Sequence, residues 1–412
     1  MPSAATPTAH REPALGSARK RRPAPGTALL LLIAVCTAVT AANIYLAAPL
    51  LPLIAHGFGA TPSGVAWIAS VAQFGYAAGL LFFAPLGDSV DRRRLVGVLS
   101  LVAAAALAAA AAATGTTALA AAVLVASAAT VVPQLLVPLV AARAPADRRA
   151  RHVAAVIAGL FTGIVAARVL GGLIGQAYGW RVVFAGAAVL TALLGLATAR
   201  ALPREDRPRR TGPLFAGLGA LPGMVRRSPD LWRACVRQAG MYGAWSALWT
   251  SLALLLTGPR YGLSTAVAGL FGLFGLSASA VAPLAGGLVD RFGAAKVVRS
   301  AYLLAAVCVP LFWLGGHALA ALVVGAVAIH AALVAAHVAN QTLALTTTSA
   351  PATANTAYVV ASFAGGALAS ALAGPAYGHW GWTGVCAVAA IWLTLGWATT
   401  ATRRTGSPAK AS

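Results

Sequence analysis

Asp88 and Asp290 stand 202 residues apart, each closing a long apolar stretch and each followed within six residues by basic side chains. The same offset of 202 separates Gly163 from Gly365, and Trp180 from Trp382, each tryptophan being preceded by glycine. Three landmarks sharing one offset imply two related halves arranged in the same chain order. The fold must therefore be one that two copies of a single helix pattern can build together.

The stretches between the landmarks define the solvent. Hydrophobic residues make up 59% of the chain and charged residues only 9%, against about 25% charged in a soluble domain. So little polar surface cannot cover a soluble globule of this size, and lipid is the expected medium. A spanning helix needs about 20 apolar residues. Twelve candidates satisfy this, at 28–53, 63–86, 95–114, 117–141, 152–176, 180–201, 234–257, 264–288, 297–315, 318–341, 354–376 and 382–402. The first is too long for a signal-peptide core and lacks a clear cleavage site, so it reads as a membrane helix. The expected fold class is an all-α integral membrane protein with twelve transmembrane helices in two six-helix pseudo-repeats. The domain plan is a disordered basic tail (1–27), an N-terminal bundle (28–201), a linker (202–233), a C-terminal bundle (234–402) and a short tail (403–412). The later part of the linker, 214–225, is apolar enough to lie along the membrane surface.

A net charge of +22 would suggest nucleic acid in a soluble protein. Here the basic residues fall in short gaps between apolar stretches, and no nucleic-acid motif is present, so nucleic acid is not an expected partner. With both termini cytoplasmic, all but Arg168, Arg181 and Arg260 of the 30 basic residues fall on the cytoplasmic side or in the tails, as the positive-inside bias requires. Abundant alanine, and arginine in excess over lysine, fit a GC-rich bacterial genome, so the expected location is the bacterial inner (plasma) membrane. Cys36, Cys235, Cys308 and Cys386 show no CxxC spacing and read as apolar packing residues.

Polarity varies from span to span. The third, sixth, ninth and twelfth are bland and suit lipid, whereas the others carry polar residues that can line a central path. Arg168 is the one charge deep within a span, and none of the eight acidic residues lies within any span. An arginine there costs about 3 kcal/mol or more unless it meets water or a partner. Its expected partners are an anionic substrate group, helix C-terminal carbonyls, or a polar side chain such as Gln134. The tenth span carries His330, His337, Asn340 and Gln341; the two histidines share a face and suit either interhelical hydrogen bonds or a proton relay. Thr40, Asn43 and Tyr45 mark the first span, and Gln73 and Tyr76 the second. Gln238, Tyr242, Ser246 and Trp249 stripe the seventh, and Asn355, Tyr358 and Ser362 the eleventh. The cavity set is thus Asn43, Tyr45, Gln73, Tyr76, Gln134, Arg168, Gln238, Tyr242, His337, Gln341 and Tyr358. Apolar and aromatic walls with scattered hydrogen bonders suit amphipathic small molecules better than sugars. Trp180, Trp380 and Trp382 fall near span ends and read as interfacial anchors.

The loops after the second and eighth spans resemble the G-x-x-x-D-R-x-G-R-R hallmark of the major facilitator superfamily. The second copy matches at Gly286, Asp290, Arg291 and Gly293. The first keeps Asp88, Arg92 and Arg93 but has Ala84, Ser89 and Asp91 where the hallmark has glycine, arginine and glycine. Segments 42–45 and 73–76 are similar to drug-efflux members of the acriflavine-sensitivity type. The resemblance implies alternating access, with the motif aspartates latching the two halves in the outward-facing state. Asp88 would face the start of the eleventh span near Asn355, and Asp290 the start of the fifth near His152. Arg92, Arg93 and Arg291 belong to the same latch, in contact with carboxylates or lipid phosphates. Efflux members carry a glycine-rich motif with a Gly-Pro step in the fifth span. This chain has Gly159, Gly163, Gly171, Gly172 and Gly175 there, without the proline. Their spacing gives a smooth face for close helix packing.

Together these readings imply a secondary transporter that exports drug-like or metabolite compounds, with protons as the coupling ion. Uptake of a small anionic metabolite is the alternative, and a non-transporting receptor on the same fold is a third reading. No GxSxG, HExxH, Walker A or paired intramembrane carboxylate is present, so no enzyme activity is expected, nor any cofactor or metal. The expected partners are a small-molecule substrate, the lipid bilayer and protons, with the chain acting as a monomer.

Overall fold

Within a bilayer every backbone polar group must be satisfied internally, so long apolar runs become helices. The computed structural model describes residues 26–83, 85–88, 90–145, 148–203, 216–346 and 351–400, and among them every regular element is helical. The N-terminal half comprises α1 (Thr27–Asn43), α2 (Ala47–Phe58), α3 (Pro62–Val65), α4 (Trp67–Phe83), a 3-10 turn (Pro85–Asp88), α5 (Arg92–Ala111), α6 (Thr116–Ala129), α7 (Val132–Arg143), α8 (Arg149–Tyr178) and α9 (Trp180–Ala201). The C-terminal half begins with α10 (Ala216–Arg227) and α11 (Pro229–Thr257). It continues with α12 (Thr265–Leu270), a 3-10 segment (Phe271–Leu276), α13 (Ser277–Phe292), α14 (Ala294–Leu314), α15 (Leu319–Thr346) and α16 (Pro351–Trp397). The tails at 1–25 and 401–412 and the linker residues 204–215 lie outside the described residues.

Among the described residues nine helices are long and apolar enough to cross a membrane, or ten when α1 and α2 count as one bent span. The difference from the expected twelve has local causes. The span expected at 354–376 and the 382–397 part of the one expected at 382–402 lie within α16, on either side of Gly381, where φ is 59° and ψ is −148°. The span expected at 264–288 is divided among α12, the 3-10 segment and α13. The first span bends by 43° between α1 and α2. Pro49, in the first turn of α2, has no N–H to offer the Tyr45 carbonyl, so the hydrogen-bond ladder is interrupted there.

The duplication is visible in packing. A methyl group on Gly163 would lie 2.0 Å from the Ala38 carbonyl oxygen of α1, and one on Gly365 would lie 2.6 Å from the Ala239 carbonyl oxygen of α11. The two glycines thus seat α8 on α1 and α16 on α11 in equivalent ways. Gly179 (φ 87°) and Gly381 (φ 59°) take the left-handed region that glycine tolerates, each just ahead of its tryptophan. Trp180 and Trp382 are buried, the first against Phe58 and Phe184 and the second against Phe312. The expectation that they anchor the interface is corrected: they close the core beside the turns. Trp380 is 72% exposed and suits that role.

The bland helices face outward, with Val98 and Leu101 of α5, Val189 and Leu193 of α9, and Leu303 and Val307 of α14 all exposed. By contrast α11 is buried along nearly its whole length. The extensive contacts between halves join α2, α3, α4 and α8 to α11, α12, the 3-10 segment and α16. These elements occupy the middle of the molecule and the end remote from the chain termini, here called the far end. Among the described residues, the contacts between the halves therefore close the far end, and none of the extensive ones lies at the terminal end.

Candidate functional site

Arg168 sits in the middle of α8 and is only 8% exposed. Its guanidinium carbon lies 5.5 Å from the Tyr45 ring centroid, 5.1 Å from Trp245 and 5.0 Å from Trp249. A desolvated cation–π contact contributes on the order of 1–2 kcal/mol, so three together offset much of the cost of the buried charge. The N–H groups are a separate matter, because π faces do not replace acceptors. Arg168 Nη1 is buried and has no hydrogen-bond partner among the described residues. The expected pairing with Gln134 is not made; Gln134 donates instead to the Tyr76 hydroxyl at 3.3 Å.

The aromatic walls have their own supports. Trp245 Nε1 donates to His330 Nε2 at 3.2 Å, while His330 Nδ1 lies 2.7 Å from the Ala326 carbonyl oxygen. That pair of bonds selects the tautomer protonated on Nδ1. Tyr45 from α1–α2 and Tyr242 from α11 share a hydroxyl hydrogen bond of 2.9 Å across the two halves. Gln73 of α4 donates to Ser246 at 2.6 Å and to Ser370 at 3.1 Å, again across the halves. Ser370 also meets Ser246 at 2.8 Å and Thr250 at 3.2 Å. Tyr76 packs on Phe363 with centroids 4.5 Å apart. Two small cavities open beside Arg168, about 20 Å³ against Trp249, Leu252 and Phe271, and about 10 Å³ against Tyr45, Gln73 and Trp249. Each has room for about one water.

Tyr45, Gln73, Tyr76, Gln134, Arg168 and Tyr242 thus stand together in one cluster. His330, Trp245, Thr250, Ser370 and Phe363 complete the cluster. Trp245 was legible as the middle of the Tyr242–Trp245–Trp249 helical stripe, and Ser370 lies eight residues past Ser362 on the same face. Asn43 turns away, donating to Thr191 of α9 at 3.0 Å, and so joins two helices of one half. Gln238 is buried in α11 with Oε1 unpartnered. His337, Gln341 and Tyr358 form a second cluster between α15 and α16. There Tyr358 Oη lies 3.2 Å from His337 Nδ1 and donates to the His337 carbonyl, and Gln341 donates to Asn355 at 2.9 Å.

The glycines of α8 serve two contacts. Gly159 and Gly163 face α1, whereas Gly171 and Gly175 face Pro49 and Leu50 of α2. Gly172 faces Thr265 and Gly269 of α12 in the other half.

At the terminal end, Arg92 folds inward and donates from Nε to the Gly87 carbonyl at 3.1 Å. Asp91, which replaces a hallmark glycine, caps α5 by accepting from the Arg93 backbone N–H at 2.9 Å. Asp88 closes the 3-10 turn, and its side chain lies outside the described part. Arg291 lies over Phe292 at 5.1 Å. Asp290 is exposed, with no ion pair or hydrogen bond among the described residues, and His152 Nδ1 is buried without a partner. Among the described residues no hydrogen bond or ion pair joins Asp290 to the start of α8.

Two bundles of one pattern, built of membrane-length apolar helices and meeting around a polar and aromatic cluster, are the architecture of a multi-pass transporter. The Major Facilitator Superfamily model matches residues 33–374, and the chain belongs to that family. It is 81% identical over 399 residues to the Probable transporter SCO4007 of Streptomyces coelicolor, covering 97% of this chain and 92% of the relative. It is 34% identical over 361 residues to the Uncharacterized transporter YgaY of Escherichia coli O157:H7, covering 87% and 91%. Among solved structures, a peptide transporter POT in complex with sulfate matches with a TM-score of 0.74 at 16% identity, over 92% of this chain and 96% of that one. A point mutant of the nucleoside transporter NupG matches with a TM-score of 0.72 at 14% identity, over 90% and 98%. At such identities the structures share the fold.

Proposed function

We propose that the chain is a secondary active transporter of the plasma membrane that exports small amphipathic organic molecules through the site around Arg168. The observation that carries this reading is that the site is built half from each bundle, where the two bundles meet. The Tyr45–Tyr242 and Gln73–Ser246 bonds cross that boundary, so rocking one bundle against the other makes and breaks the site. The distribution of basic residues supports a cytoplasmic terminal end, which makes the present state inward-facing. The Asp290 contact with α8, unmade among the described residues, fits that state, and its closure would brace the outward-facing one. The likeness of segments 42–45 and 73–76 to drug-efflux relatives supports export, with protons moving inward in exchange.

The test is an imposed proton gradient in inside-out vesicles, challenged with cationic, neutral and anionic compounds. We expect at least one compound to collapse the gradient only in vesicles that hold the protein. Binding of a compound without flux in either direction would replace the transporter with a receptor.

A further inference from the structure

Two buried donors lack acceptors among the described residues, and the side chains that carry them border the same small cavity. Arg168 Nη1 and Trp249 Nε1 each have no hydrogen-bond partner, and both residues border the cavity of about 20 Å³. Both also border the neighbouring cavity of about 10 Å³. Buried N–H groups without acceptors are costly, so two such side chains beside one gap point to an acceptor that comes and goes.

We propose that the gap between Arg168 and Trp249 receives the carboxylate of an organic anion carried on a flat apolar ring, and that such anions are this transporter's substrates; the inference rests on the transport reading above. The guanidinium carbon lies over the faces of the Tyr45, Trp245 and Trp249 rings. Ring faces are no acceptors for its N–H groups, and a planar carboxylate is the group that a guanidinium edge matches best. Among the described side chains no carboxylate is placed to occupy it, since Asp91, Asp230 and Asp290 all stand at helix ends. A cationic substrate would meet the like charge of Arg168 with no carboxylate to neutralise either group. The ring is specified by the walls, where Tyr45, Tyr242, Trp245 and Trp249 present aromatic faces and edges. Gln73, which borders the smaller cavity, has its Oε1 without a partner among the described residues, an acceptor for a hydroxyl on that ring once the halves part. With room for about one water in each cavity, the gap marks where the carboxylate would seat, and entry of the carboxylate with its ring needs the halves to part further.

The experiment uses the full-length protein purified in detergent and the shift in its melting temperature. The ligands are 2-naphthoate, 2-naphthamide, 2-naphthylmethylammonium and acetate. We expect stabilisation by naphthoate alone. Its apparent affinity should fall roughly tenfold or more in Trp249→Phe, which keeps an aromatic ring but removes the donor, and further in Arg168→Gln. Trp249→Phe carries the test should Arg168→Gln fail to fold. Equal stabilisation by the amide overturns the proposal. So does an unchanged naphthoate response in Trp249→Phe, or silence of naphthoate with the wild-type protein. Flux of a neutral or cationic compound in vesicles, with no naphthoate binding, leaves the transport reading standing and removes the anion site. Naphthoate binding through Trp249 and Arg168 without flux of any compound does the reverse.

Discussion

A methyl group on Gly163 would sit 2.0 Å from the Ala38 carbonyl oxygen, far inside van der Waals contact and against backbone that cannot swing aside. Gly163→Val must therefore push α8 off α1, at about 1–3 kcal/mol for overpacking. Gly365→Val should behave alike at the α16–α11 contact, where the clash is 2.6 Å from the Ala239 carbonyl oxygen. Gly186→Val, in α9 with nothing within 4 Å of its added methyl group, should leave the protein unchanged. Melting temperatures of the three variants decide this, and a Gly163→Val protein as stable as Gly186→Val would refute the close seat. Asp91→Ala removes the cap on α5 and should cost about 1 kcal/mol, read in the same assay. Sequence showed Arg168 as an anomaly and Gly163 and Gly365 as repeat landmarks, because charge and spacing are local properties. It could not show that Arg168 meets Tyr45, Trp245 and Trp249, since those contacts depend on how α1–α2, α8 and α11 are rotated about their axes. Asn43 shows the same limit: its spacing fits a cavity face, yet its amide turns to Thr191.

At the scale of elements, the decisive contact is that of α8 with α12. A methyl group on Gly269 would lie 2.5 Å from the Arg168 carbonyl oxygen, and one on Gly172 would lie 2.7 Å from the Thr265 carbonyl oxygen. Two facing glycines let the backbones of opposite halves touch, which closes the far end directly beside the site. Gly269→Leu should hold these helices apart and favour the state open at the far end. A cysteine replacing Ala48, which borders both cavities, should then react several-fold faster with a membrane-impermeant maleimide applied from the far side. An unchanged rate would show that α8 and α12 do not form the seal. Hydropathy found the first span as a single run because α1 and α2 are both apolar. The break between them was encoded in Pro49 and Pro52, which a hydropathy window averages away. The irregular eighth span escaped for the same reason: Gly269, Gly272 and Gly275 are neutral in hydropathy but loosen the helix between α12 and α13.

For the whole molecule, alternating access requires that the far end open and the terminal end close in turn. A bridge across the far end should therefore arrest the cycle without unfolding either bundle. A methyl group on Gly378 of α16 would lie 3.2 Å from Ser63 Cβ of α3, close to the 3.5–4.5 Å that a disulfide spans between Cβ atoms. Ser63→Cys combined with Gly378→Cys should cross-link readily on mild oxidation, since the native Cys36, Cys235, Cys308 and Cys386 are all buried. Transport should fall below about a tenth of the reduced level and return on adding reductant. A low concentration of substrate should still reach the site from the terminal end, so binding should survive the bridge. Loss of both binding and transport would mean that the far end is the only way in, and continued transport across an intact bridge would mean that the halves do not rock about this contact. The far end is the informative place to test because the α8–α12 glycine contact closes it beside the site, so one covalent constraint separates opening of the path from integrity of the fold.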